Sequence, residues 1–436
     1  MSETIVSPPP EEKKVQARMD IKSYVDEVVR SAKKASRSIA KATAADKNVI
    51  LESMAENILD SADELKEANA ADLEAGREAG LSSAMLDRLE LTEKRIQGMA
   101  DSIQTIADLK DPVGGVVDGW TLPNGLKLKK VRIPLGVVLI IYESRPNVTA
   151  DAAALCIKSG NAAILRGGKE SLRSNQAIQR QLAKAFEGTE IDPATLQLIE
   201  TTDRAAVPEL LTAEDYVDVV IPRGGKGLIR AVMDNATIPV VKHLDGICHT
   251  FVDAGCDQKM ALRVCENAKC QRPGTCNAME TLLVHSGIAQ DFLPSVVELL
   301  EERGVELRGC ERTRNIVDGL KEATEEDWHT EYLDMILSIR LVDDVGEAID
   351  HINDYGSSHS DAIVTNNLEH SERFLAEVDS ATVYVNASTR FTDGGQFGLG
   401  AEIGISTNKL HARGPMALEE LTTYKWTIVG DGQLRS

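Results

Sequence analysis

The sequence has no long hydrophobic segment, no surplus of basic residues and no internal repeat. No apolar run approaches the roughly eighteen residues that a bilayer-spanning helix needs, so we predict no membrane span. The net charge of −21 and the isoelectric point near 4.9 argue against a nucleic-acid-binding protein, which needs a basic face. The N-terminal residues include three consecutive prolines but no hydrophobic stretch, so we expect no secretory signal and predict a disordered tail over residues 1–20.

The seven cysteines are odd in number and include no Cys-x-x-Cys pair. This pattern, without a secretory signal, predicts reduced thiols in a cytoplasmic protein. The eight histidines are scattered along the chain, and none stands at zinc-ligand spacing from a cysteine pair. We therefore predict neither a metal site nor a structural disulfide.

The first hundred residues have the pattern of amphipathic helices. At 436 residues the chain is too long for one compact core, so two or three domains are expected. Between residues 21 and 109, apolar side chains recur at three- and four-residue spacing, as in Ile50, Leu51, Met54 and Ile58, which predicts helices with buried faces. An Asn-Gly pair within residues 121–126 predicts a β-hairpin.

Beyond residue 131, apolar strands alternate with helices, which predicts an α/β fold with parallel sheets covered on both faces. A first unit has predicted strands at 137–142, 162–165, 196–199 and 216–221, and helices at 149–158, 171–186 and 227–235. A second unit has predicted strands at 251–252, 279–284, 336–341, 362–365 and 382–385.

Two glycine clusters follow predicted strands, one at 166–169 (Arg-Gly-Gly-Lys) and one at 222–227 (Pro-Arg-Gly-Gly-Lys-Gly). Ligands of open parallel sheets bind beyond the carboxyl ends of the strands. Glycine lets backbone amides approach an anion, and a following helix N-terminus favours negative charge. The clusters therefore predict a dinucleotide pocket, although tight turns between strand and helix also use glycine.

Cys276 lies in a turn, because a predicted helix over residues 259–269 stops at Pro273-Gly274 and an apolar strand starts at Met279. Free backbone N–H groups of such a turn, with the nearby cations Lys269 and Arg272, favour a nucleophilic thiolate. The alternative is a packed thiol, since free cysteines are often buried hydrophobes. Cys270 is the rival nucleophile.

Several strings of the sequence resemble one known family. They include Ile141-Tyr-Glu-Ser-Arg-Pro-Asn-Val148, Leu165-Arg-Gly-Gly-Lys-Glu170, Gln271-Arg-Pro-Gly-Thr-Cys-Asn277 and Leu410-His-Ala-Arg-Gly-Pro415. From about residue 21 to the C-terminus, the chain is similar to the gamma-glutamyl phosphate reductase family (glutamate-5-semialdehyde dehydrogenases), a branch of the aldehyde dehydrogenase superfamily.

The resemblance implies NADPH-dependent reduction of L-glutamyl 5-phosphate to L-glutamate 5-semialdehyde and phosphate through a cysteine thioester, in proline biosynthesis. It implies two doubly wound parallel-sheet domains plus a small β oligomerisation element. The implied segments are a cofactor domain of residues 21–113 and 132–246, a catalytic domain of residues 247–388, and an oligomerisation element of residues 114–131 and 405–436.

The resemblance also implies roles for residues. Cys276 is the implied nucleophile, and its backbone N–H and the Asn147 amide are the expected oxyanion donors. The implied cofactor contacts are Arg166, Gly167, Gly168, Lys169, Arg223, Gly224, Gly225 and Glu331. The implied substrate contacts are Arg145, Arg272, Arg390, His411 and Arg413. For Glu331, the alternative is a solvated acid in a loop. For the four arginines among the implied substrate contacts, the alternative is a surface ion pair, and we expect at most two of the four to bind substrate.

Aldehyde-oxidising relatives use a glutamate to activate the water that hydrolyses the thioester. The comparable string here, His243-Leu-Asp-Gly246, has no glutamate, as expected of a reductase that must exclude this water. His243 itself is interpreted as a core histidine rather than a base.

Other functional classes stay open from the residues alone. They are a non-phosphorylating aldehyde dehydrogenase or acyl-CoA reductase with the same cysteine, a cysteine hydrolase, and a silent binding protein. The resemblance implies a homo-oligomer, dimer or tetramer. Since no segment has room for a fused kinase, we expect the substrate to come from a separate glutamate 5-kinase, and we expect a transient contact with that kinase.

Overall fold

The computed structural model describes residues 10–435, with side chains from residue 20 onward except at residue 84. None of the helices in this range is long and apolar enough to cross a membrane. Helix α1 starts at Pro10, so the predicted disordered tail is wrong for residues 10–20, and residues 1–9 lie outside the described residues. Proline suits a first helical turn because the N–H it lacks would have no partner there.

The described residues form fifteen α-helices and sixteen strands. The helices are α1 (Pro10–Ile39), α2 (Ala44–Asp60), α3 (Ala62–Glu78), α4 (Ser83–Leu89), α5 (Glu93–Asp108), α6 (Asn147–Lys158), α7 (Leu172–Lys184), α8 (Ala206–Leu211), α9 (Lys226–Asn235), α10 (Gln258–Cys270), α11 (Ala289–Glu302), α12 (Glu311–Arg314), α13 (Glu325–Trp328), α14 (Val345–Tyr355) and α15 (Leu368–Glu377). The strands are β1 (Val116–Thr121), β2 (Lys127–Pro134), β3 (Val137–Tyr142), β4 (Ala162–Arg166), β5 (Leu196–Leu198), β6 (Val219–Arg223), β7 (Cys248–Val252), β8 (Met279–His285), β9 (Glu306–Gly309), β10 (Lys321–Glu322), β11 (Ile336–Val342), β12 (Ser360–Val364), β13 (Thr382–Val385), β14 (Gly404–Ser406), β15 (Gly414–Met416) and β16 (Thr422–Val429).

The chain folds into two units. The first comprises the chain up to Val241 with residues 399–404 and the C-terminal residues from 416 onward, and the second comprises residues 242–398 and 405–415. The boundary expected after residue 246 thus falls after residue 241. The C-terminal segment 405–436, expected to be one piece, is divided between the units.

The first unit contains a parallel sheet of four strands in the order β5-β4-β3-β6. Val137, Leu139 and Ile141 of the buried strand β3 share one hydrophobic core with Val25 and Val29 of α1. The intervening residues point to the other face, because successive side chains of a strand alternate. The predicted stripe of α2, residues 50–58, is buried, which confirms it as a core face.

An antiparallel sheet in the order β1-β2-β16 is the second sheet of this unit. Its hairpin, β1 to β2, confirms the prediction from the Asn-Gly pair. Strand β16 pairs with β2 from Thr422 opposite Pro134 to Val429 opposite Lys127.

The second unit contains a parallel sheet of seven strands in the order β10-β9-β11-β8-β7-β12-β13. Leu282 and Val284 of β8 pack with α10 and α11 in one core, whereas Leu283 between them packs with α14 and α15 in another. The sheet is therefore doubly wound, as predicted. The last two strands on one side of this sheet, β9 and β10, were not predicted.

Candidate active site

Cys276 lies half-buried on the loop between α10 and β8. Asn277 anchors this loop, because its Nδ2 donates hydrogen bonds to the backbone oxygens of Thr392 (2.9 Å) and Arg390 (3.3 Å). Thr389 Oγ1 donates a further hydrogen bond to the backbone oxygen of Asn277 at 2.7 Å. The thiol thus lies on a fixed turn and outside the hydrophobic core.

The backbone of Cys276 packs directly against Gly246. A Cβ atom at Gly246 would lie 1.9 Å from the carbonyl oxygen of Cys276, so no other residue fits there without displacing the loop. The buried thiol of Cys248 donates a hydrogen bond to the same oxygen at 3.2 Å. The N–H of Gly246 donates to Glu331 Oε1 at 2.9 Å, so a carboxylate fixes the segment before β7 that packs against Cys276.

Two histidines approach the thiol. One ring nitrogen each of His243 and His359 and the Sγ atom of Cys276 all lie within 4.8 Å of one another. His243 Nδ1 is 3.0 Å from the carbonyl oxygen of Ile405, which can only accept, so Nδ1 carries the proton and Nε2 the lone pair. His243 is half-buried beside the thiol, so its interpretation as a core histidine is wrong.

His359 is fully buried, and its ring meets that of His243 edge to face with centroids 5.3 Å apart. Burial, with a smaller contribution from His243, lowers the pKa of His359 to about 3, so this imidazole is neutral near pH 7. Its Nδ1 lies 2.9 Å from Ser360 Oγ, whereas its buried Nε2 has no hydrogen-bond partner in the described part of the chain. No motif or spacing in the sequence pointed to His359.

Lys269 does not act on the thiol as the sequence suggested. Its Nζ lies 2.6 Å from Glu280 Oε2, and both side chains are completely buried. Burial raises the pKa of Glu280 to about 7, even though Lys269 opposes this shift. The rival Cys270 is half-buried against the core, and burial raises the pKa of its thiol, which disfavours the thiolate.

Arg390 is the candidate substrate arginine most closely linked to Cys276. Burial and the neighbouring Arg272 lower its pKa, and the Cys276 thiol is the next group that acts on it. Its Nε donates to Gln271 Oε1 at 2.9 Å. A cleft of about 280 Å³ opens here, lined by Asn267, Gln271, Arg390, Phe391, Asp393 and Gln396.

In the first unit, the two glycine clusters lie at one edge of the four-stranded sheet. They follow β4 and β6, which flank β3 on either side and run parallel to it. The residues after β3 form the third loop of this edge, with Ser144 in a left-handed backbone conformation at φ 40°. This edge is where a parallel sheet binds nucleotides.

Glu143 already places a carboxylate at the start of α9. Its Oε2 accepts a hydrogen bond from the N–H of Gly225, the N-cap residue, at 2.8 Å. A Cβ atom at Gly224 would lie 2.4 Å from this same oxygen. The helix N-terminus thus binds an anionic group, as its dipole and open N–H groups favour.

A family model of the aldehyde dehydrogenase family matches residues 2–310 and 317–427. Gamma-glutamyl phosphate reductase of Moorella thermoacetica is 57% identical over 93% of this chain and 97% of its own length. That of Halothermothrix orenii is 53% identical over 96% of this chain and 100% of its own length. The chain belongs to the aldehyde dehydrogenase family, in its gamma-glutamyl phosphate reductase group.

A solved structure agrees with this assignment. The crystal structure of gamma-glutamyl phosphate reductase from Thermotoga maritima is similar to this chain with a TM-score of 0.93 and 50% identity, over 94% of this chain and all of that one. The predicted aldehyde dehydrogenase fold and membership of the gamma-glutamyl phosphate reductase family are confirmed.

Some residues that the family resemblance singled out have structural partners instead. Arg413 binds Asp379 through Nη1 to Oδ1 and Nη2 to the backbone oxygen, both at 2.8 Å. His411 is exposed at φ 72°. These contacts favour ordering of loops over substrate binding.

The remaining predicted contacts stay predictions. Arg145 and Asn147 are exposed at the start of α6, where Asn147 Nδ2 donates to Asp151 Oδ2 at 3.1 Å. Arg272 is exposed on the Cys276 loop, and Lys169 is exposed after β4. Sequence reasoning missed His359, Cys248 and Gly246, which meet Cys276 only through folding.

Proposed function

We propose that this protein catalyses the NADPH-dependent reduction of L-glutamyl 5-phosphate to L-glutamate 5-semialdehyde and phosphate, a step of proline biosynthesis. The observation that carries the proposal is the half-buried thiol of Cys276 on an anchored loop beside a histidine. Relatives more than half identical over nearly the whole chain bear the name of this reductase.

Formation of the acyl-enzyme uses Cys276 and His243. The Nε2 lone pair of His243 accepts the thiol proton, and the thiolate sulfur then bonds to the acyl carbon of the substrate. The carbon–oxygen bond to phosphate breaks, and phosphate leaves without strong acid assistance. The N–H of Cys276 and the Asn147 amide stay the proposed hydrogen-bond donors to the oxyanion of the tetrahedral intermediate. Arg390 is the proposed binding partner of the substrate's phosphate or α-carboxylate.

A reduced nicotinamide, when bound, supplies the hydride that converts the thioester to the aldehyde. Cys276 is released as thiolate in that step and regains its proton from His243. Because residues 243–246 lack the water-activating glutamate of aldehyde-oxidising relatives, the thioester survives until it is reduced.

The loops after β4 and β6 fit a dinucleotide phosphate. Arg166 and Arg223 each have a buried Nε without a hydrogen-bond partner among the described residues. The N-terminus of α9 holds the Glu143 carboxylate, which accepts a hydrogen bond from the N–H of Gly225 at 2.8 Å and would have to move aside for a phosphate. We propose that Arg223, Gly224 and Gly225, with Gly167 and Gly168, bind the pyrophosphate, and that Arg166 and Lys169 bind the 2′-phosphate that distinguishes NADPH from NADH.

The reverse reaction tests the proposal. Glutamate semialdehyde, phosphate and NADP⁺ should give NADPH formation that depends on phosphate, with arsenate-free buffer lacking phosphate as the control. NADPH formation without phosphate would instead identify a simple aldehyde oxidation and contradict the acyl phosphate chemistry. In a third experiment, NADPH oxidation is measured with acyl-CoA substrates. Turnover of these substrates would instead identify an acyl-CoA reductase.

Replacing the nucleophile gives a second test. Cys276→Ala should lower kcat by more than about 1,000-fold, because covalent catalysis is lost, while the melting temperature stays unchanged. Cys270→Ala is the matched control, six residues earlier on the end of α10, and should retain activity. Full activity in Cys276→Ala would refute the thioester.

We further propose that copies of the chain associate through the antiparallel sheet β1-β2-β16. Its exposed apolar side chains are Val116, Val117, Trp120, Tyr424, Trp426, Ile428 and Val429, each at least 44% exposed. A patch of this kind favours association. A cytoplasmic location, consistent with seven free thiols, and a transient contact with glutamate 5-kinase stay predictions.

A further inference from the structure

Cys276, His243 and His359 form a group with the composition of a metal site. One potential ligand atom from each residue lies within 4.8 Å of the others, and this is the group of three that the described residues offer. A thiolate with two imidazoles is a donor set for Zn²⁺ and related thiophilic cations, and it excludes Mg²⁺ and Ca²⁺, which prefer oxygen.

His359 supplies an independent sign of an unused ligand position. It is completely buried, and its Nε2 lacks a hydrogen-bond partner within the described residues. A buried polar atom without a partner costs stability, so such an atom usually has a purpose.

His243 is held as metal-binding histidines usually are. Its Nδ1–H donates to the carbonyl oxygen of Ile405 at 3.0 Å, which fixes both the tautomer and the ring orientation. Most metal-bound histidines donate their other N–H to such an oxygen. His243 therefore presents its Nε2 lone pair in a fixed direction.

We infer that Cys276, His243 and His359 bind one Zn²⁺ ion reversibly, and that this ion inhibits the enzyme. The inference rests on the proposed function, since inhibition follows from Cys276 being the nucleophile. Zinc–sulfur bonds of about 2.3 Å and zinc–nitrogen bonds of about 2.0 Å require ligand atoms about 3.3 to 3.6 Å apart. Each of the three distances, all within 4.8 Å, must shorten by at most about 1.5 Å, which requires small rotations of the half-buried Cys276 and His243 side chains toward the buried His359.

Metal binding and catalysis exclude each other at this site. Cys276 loses its thiol proton as the S–Zn bond forms, so one proton is released per ion when the thiol is protonated. The sulfur lone pair is then engaged, and the Nε2 of His243 can no longer accept a proton. A thioester at Cys276 conversely removes the thiolate ligand.

Titration of the full-length, reduced and metal-free protein with Zn²⁺, against a chromophoric chelator, tests the inference. We expect one tight site per chain. Co²⁺ in place of Zn²⁺ should give a thiolate-to-metal charge-transfer band. Cys276→Ser, His243→Gln and His359→Gln should each weaken binding by more than about 100-fold, since even changes around metal ligands cost 10- to 100-fold. Cys270→Ser and His285→Gln are the matched thiol and histidine controls and should bind as the original chain does.

The outcomes separate the site from the reaction. Binding unaffected by His243→Gln and His359→Gln, or the absence of a tight site, would overturn the inference whatever the activity. A stoichiometric site with a thiolate band in a protein without reductase activity would uphold the site and refute the proposed function. If His359→Gln does not fold, protection of Cys276 from iodoacetamide by Zn²⁺, together with the Co²⁺ band in the unchanged chain, decides the question.

Discussion

At the scale of single residues, the position of Cys276, the proposed nucleophile, depends on a glycine that has no chemistry of its own. The carbonyl oxygen of Cys276 occupies the space where a Cβ atom of residue 246 would be. Cys248 and Glu331 hold the two loop segments in this contact through hydrogen bonds. Catalytic geometry is therefore set partly by packing of backbone on backbone.

Gly246→Ala should move Cys276 and lower kcat by about 100-fold, since a misplacement of about 1 Å has this effect. The overpacked loop should also destabilise the fold by about 1–3 kcal/mol. Steady-state kinetics and urea unfolding measure both. Gly255→Ala is the control, because a Cβ atom there meets nothing within 4 Å, and equal losses in both variants would contradict the argument.

His351 makes stability depend on pH. Burial, followed by His249, Arg340 and His329, lowers its pKa to about 2, while the unfolded chain has the ordinary value of 6.5. The native histidine stays neutral, so stability is highest above pH 6.5 and falls below it, by about 1.4 kcal/mol per pH unit.

His351→Phe should remove about 2 kcal/mol of the stability loss between pH 6.5 and pH 5, since the unfolded chain then takes up one proton fewer. Urea unfolding at both pH values provides the measurement. The buried His359 should leave a residual slope of the same sign. An unchanged difference between the two pH values would show that His351 does not titrate as described.

At the scale of elements, a buried ion pair joins the helix and the strand that flank the Cys276 loop. Lys269 ends α10 and Glu280 starts β8, and the N–H of Leu333 donates a further hydrogen bond to Glu280 Oε1 at 3.1 Å. A buried ion pair stabilises a fold little more than well-packed apolar residues in the same place would. Removing one partner is nevertheless strongly destabilising, because it leaves an unpaired buried charge.

Lys269→Met should lower the free energy of unfolding by about 3–5 kcal/mol, and Lys269→Met with Glu280→Leu should regain most of it. Loss of Lys269 raises the pKa of Glu280 further above its ordinary value, so the single variant should gain stability as the pH falls from about 8 to about 6. Chemical denaturation measures this. Lys66→Met, at an exposed pair with Asp63, should leave stability unchanged.

At the scale of the whole molecule, the antiparallel sheet β1-β2-β16 leaves an aromatic face exposed. Trp120 and Trp426 meet edge to face with ring centroids 5.3 Å apart, and Tyr424 lies beside them. Each of the three is at least 44% exposed. Large aromatic side chains are enriched where protein surfaces associate.

Trp426→Glu combined with Ile428→Glu should convert the proposed oligomer to smaller species, because charges at the centre of an apolar interface cannot be paired. Light scattering coupled to size exclusion measures the mass. Val49→Glu is the control, since this valine is 60% exposed on α2, away from the sheet. An unchanged mass in the double variant would place the interface elsewhere.

The order of helices and strands could be predicted because periodicity is a local property. Strands β3 and β13 were predicted to the residue, and α10 to within one residue at each end. Strands β9 and β10 were missed, because they have only four and two residues and no apolar run marks them. The start of the N-terminal helix was predicted too late, because residues 10–20 are rich in charge and lack the apolar periodicity that indicates a helix.

The amino-acid sequence by itself determined the alternation of elements and the family, and it predicted Cys276 as the nucleophile, since each of these depends on residues adjacent in the chain. Only the tertiary structure decided that His243 and His359 reach the thiol, that Gly246 supports it, and that Lys269 is paired with Glu280. The physical reason is that parallel strands distant in sequence bring their ends to one edge of a sheet, and burial there then sets which groups are neutral, charged or paired.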